Sequence, residues 1–202
     1  MDVPSIKGTG IAQTVADVKR LEECGRIDRA QLEVRLESED LRLLDGKVQV
    51  AVWYPNACHR RLTELLRDVE GGGREEYVVQ RGRDTADRLI EGGLYQQLHL
   101  VEDGEVGVGR AVLRRSIRLM LSMAASIYSF GRWALLDEDE DDTLRVVVEE
   151  ARHLSEMNRL TAQGFIDRTA ERILGYDPRV RSRRRDPNVV EITIRIDPDR
   201  TR

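Results

Sequence analysis

A chain of 202 residues, 40% of them hydrophobic and with a net charge of −4, can bury a core without disulfide or metal staples and is too polar for a membrane-embedded protein. No apolar run of about 18 residues offers a spanning helix, and Cys24 and Cys58 are too few for a disulfide framework. The acidic balance argues against nucleic acid as the main partner, because phosphate binding needs concentrated positive charge. Met1 to Gly10 contain no apolar signal core, so a cytoplasmic protein is expected. Apart from Lys7, Lys19 and Lys47 the basic residues are all arginine, which reads first as compositional bias and only second as selection for carboxylate or phosphate recognition.

In chain order, Ile11, Val15, Val18 and Leu21 recur at helical spacing, and Gly25 offers a left-handed stop. Asp28 is a natural N-cap for a helix carrying Leu32 and Leu36, and Ser38 for a short turn carrying Leu41 and Leu44. Val48, Val50 and Val52 alternate with Gln49, Ala51 and Trp53, the pattern of a brief strand or an extended connector. Pro55 suits the first turn of a helix whose inner face holds Leu62, Leu65, Leu66 and Val69, ended by Gly71 to Gly73. A further helix is expected from about Glu75 to Glu91. The glycine-rich stretch Leu98 to Gly109 is the best boundary between a helical part, about 1–100, and the rest, about 107–202, of a single domain 1–202.

Beyond it, Ala111 to Ala125 is the most apolar helix, with Leu113, Ile117 and Met120 on one side. Strands follow at Tyr128 to Leu135 and Leu144 to Glu149, separated by the acidic run Asp137 to Asp142. Ser155 to Gly175 returns to helical period, and Gly164 in its middle would let it approach a neighbour closely. Arg179 to Arg185 and Val190 to Ile196 are the last strands, joined by the turn Asp186-Pro187-Asn188. The C-terminal order, helix-strand-strand-helix-strand-strand, predicts an α+β fold: N-terminal helices, then helices packed on a four-stranded antiparallel sheet.

Trp53-Tyr54-Pro55, Gly82-Arg83, Gly92-Gly93-Leu94-Tyr95 and Thr161-Ala162-Gln163-Gly164-Phe165-Ile166 resemble an uncharacterised, mainly myxobacterial family. More broadly the chain resembles the superfamily of heme-NO-binding domains, vinyl-reductase-type ligand-binding domains and TRAPP core subunits. That resemblance implies small-molecule or lipid binding in some members, protein scaffolding in others, and frequent dimers.

Heme needs an axial ligand, and among His59, His99 and His153 the best placed is His99, beside apolar neighbours. The heme-binding members anchor propionates with Tyr-x-Ser-x-Arg; here Tyr128-Ser129-Phe130-Gly131-Arg132 displaces the serine by one position, which on a strand turns it to the opposite face. No cofactor is therefore expected. Cys58-His59 with a distant Cys24 gives no zinc spacing, and the acidic run lacks the glycine and glutamate of a calcium loop, so no metal is expected. Gly104, Gly107 and Gly109 lack the βαβ context of a dinucleotide fingerprint. No serine sits in a nucleophile elbow, so no catalytic residue is assigned and the chain is not expected to be an enzyme.

What remains is binding. A pocket for a small apolar ligand would be lined by Leu113, Ile117, Met120, Tyr128 and Phe165, unless these residues only fill the core. Alternation places Arg179, Arg181, Arg183 and Arg185 on one strand face, either solvated and paired with Glu149 or Glu191, or docking an acidic or phosphorylated protein. The expected function is a regulatory or adaptor domain binding an apolar ligand or a protein partner. The alternative is a scaffold that self-associates as a homodimer, as TRAPP subunits do.

Overall fold

A computed structural model of the chain describes residues 3–92, 108–136 and 142–197. The chain divides into two compact units, Met1–Val78 with Ser126–Phe130, and Val79–Ala125 with Gly131–Arg202. The expected boundary at Leu98 to Gly109 falls mostly outside the described residues.

In the first unit, strand β1 (Ser5–Lys7) leads directly into helix α1 (Gly8–Glu23), which buries Ile11, Val15, Val18 and Leu21 and stops before Gly25 at φ +71°. Helix α2 (Arg29–Arg35) is capped as expected: the Asp28 carboxylate accepts from Gln31 N–H, and the Gln31 side chain accepts from Asp28 N–H. Helix α3 (Ser38–Asp45) corrects the assignment of Ser38 as cap, because Glu37 holds that position and Asp40 accepts from its N–H. Val48 to Val52 do not form a strand. The chain turns there, and strand β2 is confined to Trp53–Pro55, antiparallel to β1. The turn has another task. Lys7 supplies no side-chain cap to α1, and the carbonyls of Val52 and Val50 accept from Gly8 and Thr9 N–H instead. Pro55 holds the position just before helix α4 (Asn56–Val69), not its first turn as expected, and supplies no side-chain cap; the helix buries Leu62, Leu65 and Leu66.

The second unit takes most of α5 (Glu75–Glu91) and α6 (Val108–Ile127), then β3 (Arg132–Leu136), β4 (Thr143–Glu149), α7 (Glu156–Leu174), β5 (Arg179–Asp186) and β6 (Val189–Arg195). The four strands form one antiparallel sheet in the order β3-β4-β6-β5, the predicted α+β architecture. Leu144, Val146 and Val148 stand opposite Ile194, Ile192 and Val190, and all six are buried, so strand alternation sorts the apolar residues onto one face. The expected start of the first sheet strand at Tyr128 is four residues early. α6 continues to Ile127, Tyr128 bridges to Ile6, and Gly131 at φ +78° breaks the run before β3.

Helix α7 joins the parts of this unit. Ser155 and Asn158 close a capping box at its start, and Gly175 ends it in the left-handed conformation. Towards the sheet, Arg159 Nη1 donates to Ser182 C=O at 3.0 Å and Gln163 Oε1 accepts from Ser182 N–H at 3.2 Å. These side chains satisfy backbone groups on the outer edge of β5 that another strand would otherwise seek. On its other side α7 meets α5 backbone to backbone. A Cβ on Gly164 would lie 1.8 Å from Val79 O, and one on Gly82 would lie 2.2 Å from Thr161 O. Arginines clasp the crossing: Arg83 pairs with Asp167 and Glu171, and Asp87 takes Arg168 at 2.9 Å and Arg172 at 2.7 Å.

Gly164→Ala and Gly82→Ala should each destabilise the fold by about 1–3 kcal/mol, the cost of overpacking a rigid contact, read by urea unfolding; wild-type stability in both would refute the close contact. Acid acts on the same crossing. Burial raises the Asp87 carboxyl, but hydrogen bonds from Arg168 and Arg172 outweigh it and the net shift is downward; Glu171 is lowered in the same way against burial by Arg168 and Arg83. Asp167 goes the other way, because burial outweighs Arg83. Lowered groups give stability that is present above their unfolded pKa and is lost as pH falls through the folded one, whereas Asp167 regains stability on protonation. Asp87→Asn should therefore lower stability at neutral pH and shrink the loss seen below about pH 4.5.

Candidate functional site

Two places gather polar chemistry, and a third holds the apolar residues expected to line a pocket. The first lies in the N-terminal unit, where α4 faces α3. Asp40 is 0% exposed, and Arg61 Nε and Nη2 donate to its two oxygens at 2.5 and 2.9 Å. The same guanidinium reaches Glu39 at 2.6 Å, Glu37 at 3.0 Å and Cys58 Sγ at 3.7 Å. A shallow cleft of about 360 Å³ opens beside it, lined by Glu39, Leu43, Gly46, Tyr54, Pro55 and Cys58 among others.

Glu39, Asp40 and Cys58 bring donor atoms within 4.8 Å of one another, a spacing that invites a metal. The chemistry does not. Arg61 already supplies the positive charge to both carboxylates, and its pKa is driven upward chiefly by the hydrogen bond to Asp40. Burial, reinforced by Asp40, pushes the Cys58 thiol up, so it stays protonated, and metals take the thiolate. The cluster is an arginine site that ties α3 to α4.

The second place is the outer face of the sheet. Arg179, Arg181, Arg183 and Arg185 are all exposed along β5, as alternation predicts. The structure splits them. Arg183 and Arg185 donate to Glu191 at 3.0 and 3.1 Å, one to each carboxylate oxygen, and the Glu191 side chain is only 6% exposed. Arg179 and Arg181 have no such partner among the described residues and stand opposite Arg195 and Thr193. Arg195 is the member that sequence reasoning missed. Alternation with Ile194 and Ile196 puts it on the polar face of the last strand, but its nearness to Arg179 depends on register.

The third place is the apolar residues proposed to line a pocket. Leu113, Ile117 and Met120 are buried on α6 and Phe165 is half-buried on α7, all in the second unit. Tyr128 belongs to the first unit, where it packs against the N-terminal core, its ring 5.5 Å from that of Phe130. His99 and residues 137–141 of the acidic run lie outside the described residues.

No protein-family profile and no curated protein matches the chain. Solved structures do. An H-NOX domain studied for heme distortion superposes with a TM-score of 0.62 at 13% identity, covering 95% of both chains. An oxygen-binding H-NOX domain related to soluble guanylate cyclases gives 0.56 at 14%, covering 94% of each. One from K. algicida gives 0.57 at 12%, covering 94% of this chain and 96% of the other. The chain has the H-NOX fold.

That finding corrects the expectation of no cofactor, because the domains that share this fold include heme proteins. The positions that match the propionate anchor are nonetheless committed elsewhere. Ser129 Oγ accepts from Ser5 N–H at 2.8 Å, and Arg132 pairs with Glu150 at 2.6 Å and Glu149 at 3.5 Å. They do not fit a propionate clamp.

The Arg61 cluster yields a direct test. Arg61→Leu leaves Asp40 buried without its cation and should cost about 3–5 kcal/mol in urea unfolding. Replacing both residues, Asp40→Leu with Arg61→Leu, should recover much of that loss; a single variant as stable as wild type would mean that Asp40 does not depend on Arg61.

Proposed function

We propose that the chain is a non-catalytic sensor domain that acts by holding a ligand of the heme class on an H-NOX fold. The observation that carries this reading is the match to H-NOX domains over 95% of both chains at a TM-score of 0.62. Function on a fold is set by the site, and the fold alone is an analogy, so support must come from the chain's own groups. Three histidines offer an axial ligand, His59, His99 and His153; His59 is buried on α4 and His153 is exposed after β4. The commitments of Ser129 and Arg132 mean that carboxylates of such a ligand would be met by other groups than the aligned anchor. Occupancy of the site, passed to a partner as a change in shape or stability, is then the signal, and the chain works as a regulatory domain without bond-making of its own.

Hemin titrated into the purified chain should give a saturable Soret band distinct from that of free hemin, and replacing the three histidines one at a time should alter the band in one variant only. If no saturable spectral change occurs, heme is not the ligand. Mass spectrometry of the denatured protein then reads the other arm: a co-purifying apolar molecule would keep the sensor reading and change its ligand, and its absence would end that reading.

A further inference from the structure

The outer face of the four-stranded sheet is unevenly charged. Near the β5–β6 turn, Glu191 pairs with both Arg183 and Arg185 and offsets one of their two positive charges. At the opposite end, Arg179 on β5 stands directly across from Arg195 on β6, and Arg181 on β5 is across from Thr193. Cross-strand partners on one face lie about 5 Å apart and same-face neighbours along a strand about 7 Å apart. Arg179, Arg181 and Arg195 therefore form a compact triangle of exposed cations, and none has a carboxylate within ion-pair distance among the described residues. Arg145 and Thr143 continue the same face on β4, opposite Thr193 and Arg195.

Like charges placed directly opposite each other on an antiparallel ladder destabilise it. Protection of a sheet edge against unwanted pairing does not account for the arrangement, because Arg195 lies on β6, an interior strand. The β5 edge is in any case already served by Arg159 and Gln163 on α7, whose side chains occupy the backbone of Ser182. A visiting chain is thus met by guanidinium side chains, not by strand addition.

We infer that Arg179, Arg181 and Arg195 form a docking surface for an acidic segment of a partner protein, one that presents two or three carboxylates at the spacing of the triangle. Guanidinium groups pair with carboxylates through two parallel hydrogen bonds, which fixes orientation as well as charge. A nucleic acid would need a longer track of cations, and the net charge of −4 on the whole chain repels an extended polyanion while sparing a short acidic peptide.

The test uses the full chain and a fluorescein-labelled decapeptide with four glutamates at alternate positions, followed by anisotropy. Binding should saturate, weaken with salt, and fall at least tenfold in Arg179→Glu/Arg181→Glu. Arg152→Glu makes a charge reversal at an exposed site outside the strands of the sheet and should stay within twofold of wild type. Misfolding is separated by melting temperature: Arg179→Glu replaces a like-charge pair with an opposite one and should melt no lower than wild type. A peptide that fails to saturate, or that binds the double variant equally well, overturns the proposal. So does tighter binding, through the same arginines, of a single-stranded thymidine 20-mer or of vesicles of phosphatidylcholine and phosphatidylserine. The readout does not involve heme, so the docking surface and the ligand reading can fail separately.

Discussion

The contact between α5 and α7 is made backbone to backbone, with Gly82 and Gly164 leaving no space for a methyl group on either helix. Such an approach removes the side chains that normally set the distance between helices, and it fixes α7 within narrow limits. α7 in turn carries the two side chains that finish the edge of β5. A shift of α7 would therefore uncover sheet edge as well as loosen a helix pair. The ion pairs of Arg83, Arg168 and Arg172 with Asp87, Asp167 and Glu171 are partly exposed and add modestly on their own; their geometry follows the glycine contact and locks its register.

Elements whose rule is local were legible in the sequence. Asp28 caps α2 because a short carboxylate reaches N–H groups within one turn, and period-two alternation put Val190, Ile192 and Ile194 on one face without reference to any partner. Gly164 could be read as a site of close approach, although the partner glycine could not. Elements whose rule is tertiary were not legible. Val48 to Val52 alternate like a strand, yet they turn, because their carbonyls are needed by the uncapped start of α1. Tyr128 and Ser129 alternate with the residues that follow, yet they serve β1. In both cases a backbone hydrogen bond to a distant segment outweighed a short propensity pattern.

The arginines show the same limit in the candidate sites. Composition counts them alike, and the fold gives them different tasks. Arg61 is spent on a buried aspartate 21 positions earlier in the chain, Arg184 reaches back to the carbonyl of Leu154 and to Glu156, and Arg183 and Arg185 hold Glu191. Only after these are set aside does the triangle of Arg179, Arg181 and Arg195 stand out. Sequence alternation found the strand face but could not divide it, since the division depends on which residue of β6 stands opposite which of β5.

Fold and site pull in different directions on the question of a ligand. The whole-chain match places this protein on the H-NOX architecture, while the aligned anchor positions are tied up within the protein. Releasing Arg132 for a ligand carboxylate would break its pairs with Glu149 and Glu150. Those pairs are well exposed on both sides and so cost little to exchange. Ser129 is different: Ser5 and Ser129 are joined twice, Ser5 N–H to Ser129 Oγ and Ser129 N–H to Ser5 C=O, and freeing the hydroxyl would leave a strand N–H without an acceptor, at a cost of about 1–3 kcal/mol if water cannot replace it. The serine is thus part of the scaffold, and the arginine would be released only by giving up its pairs with Glu149 and Glu150, so the segment as it stands is committed to internal pairing.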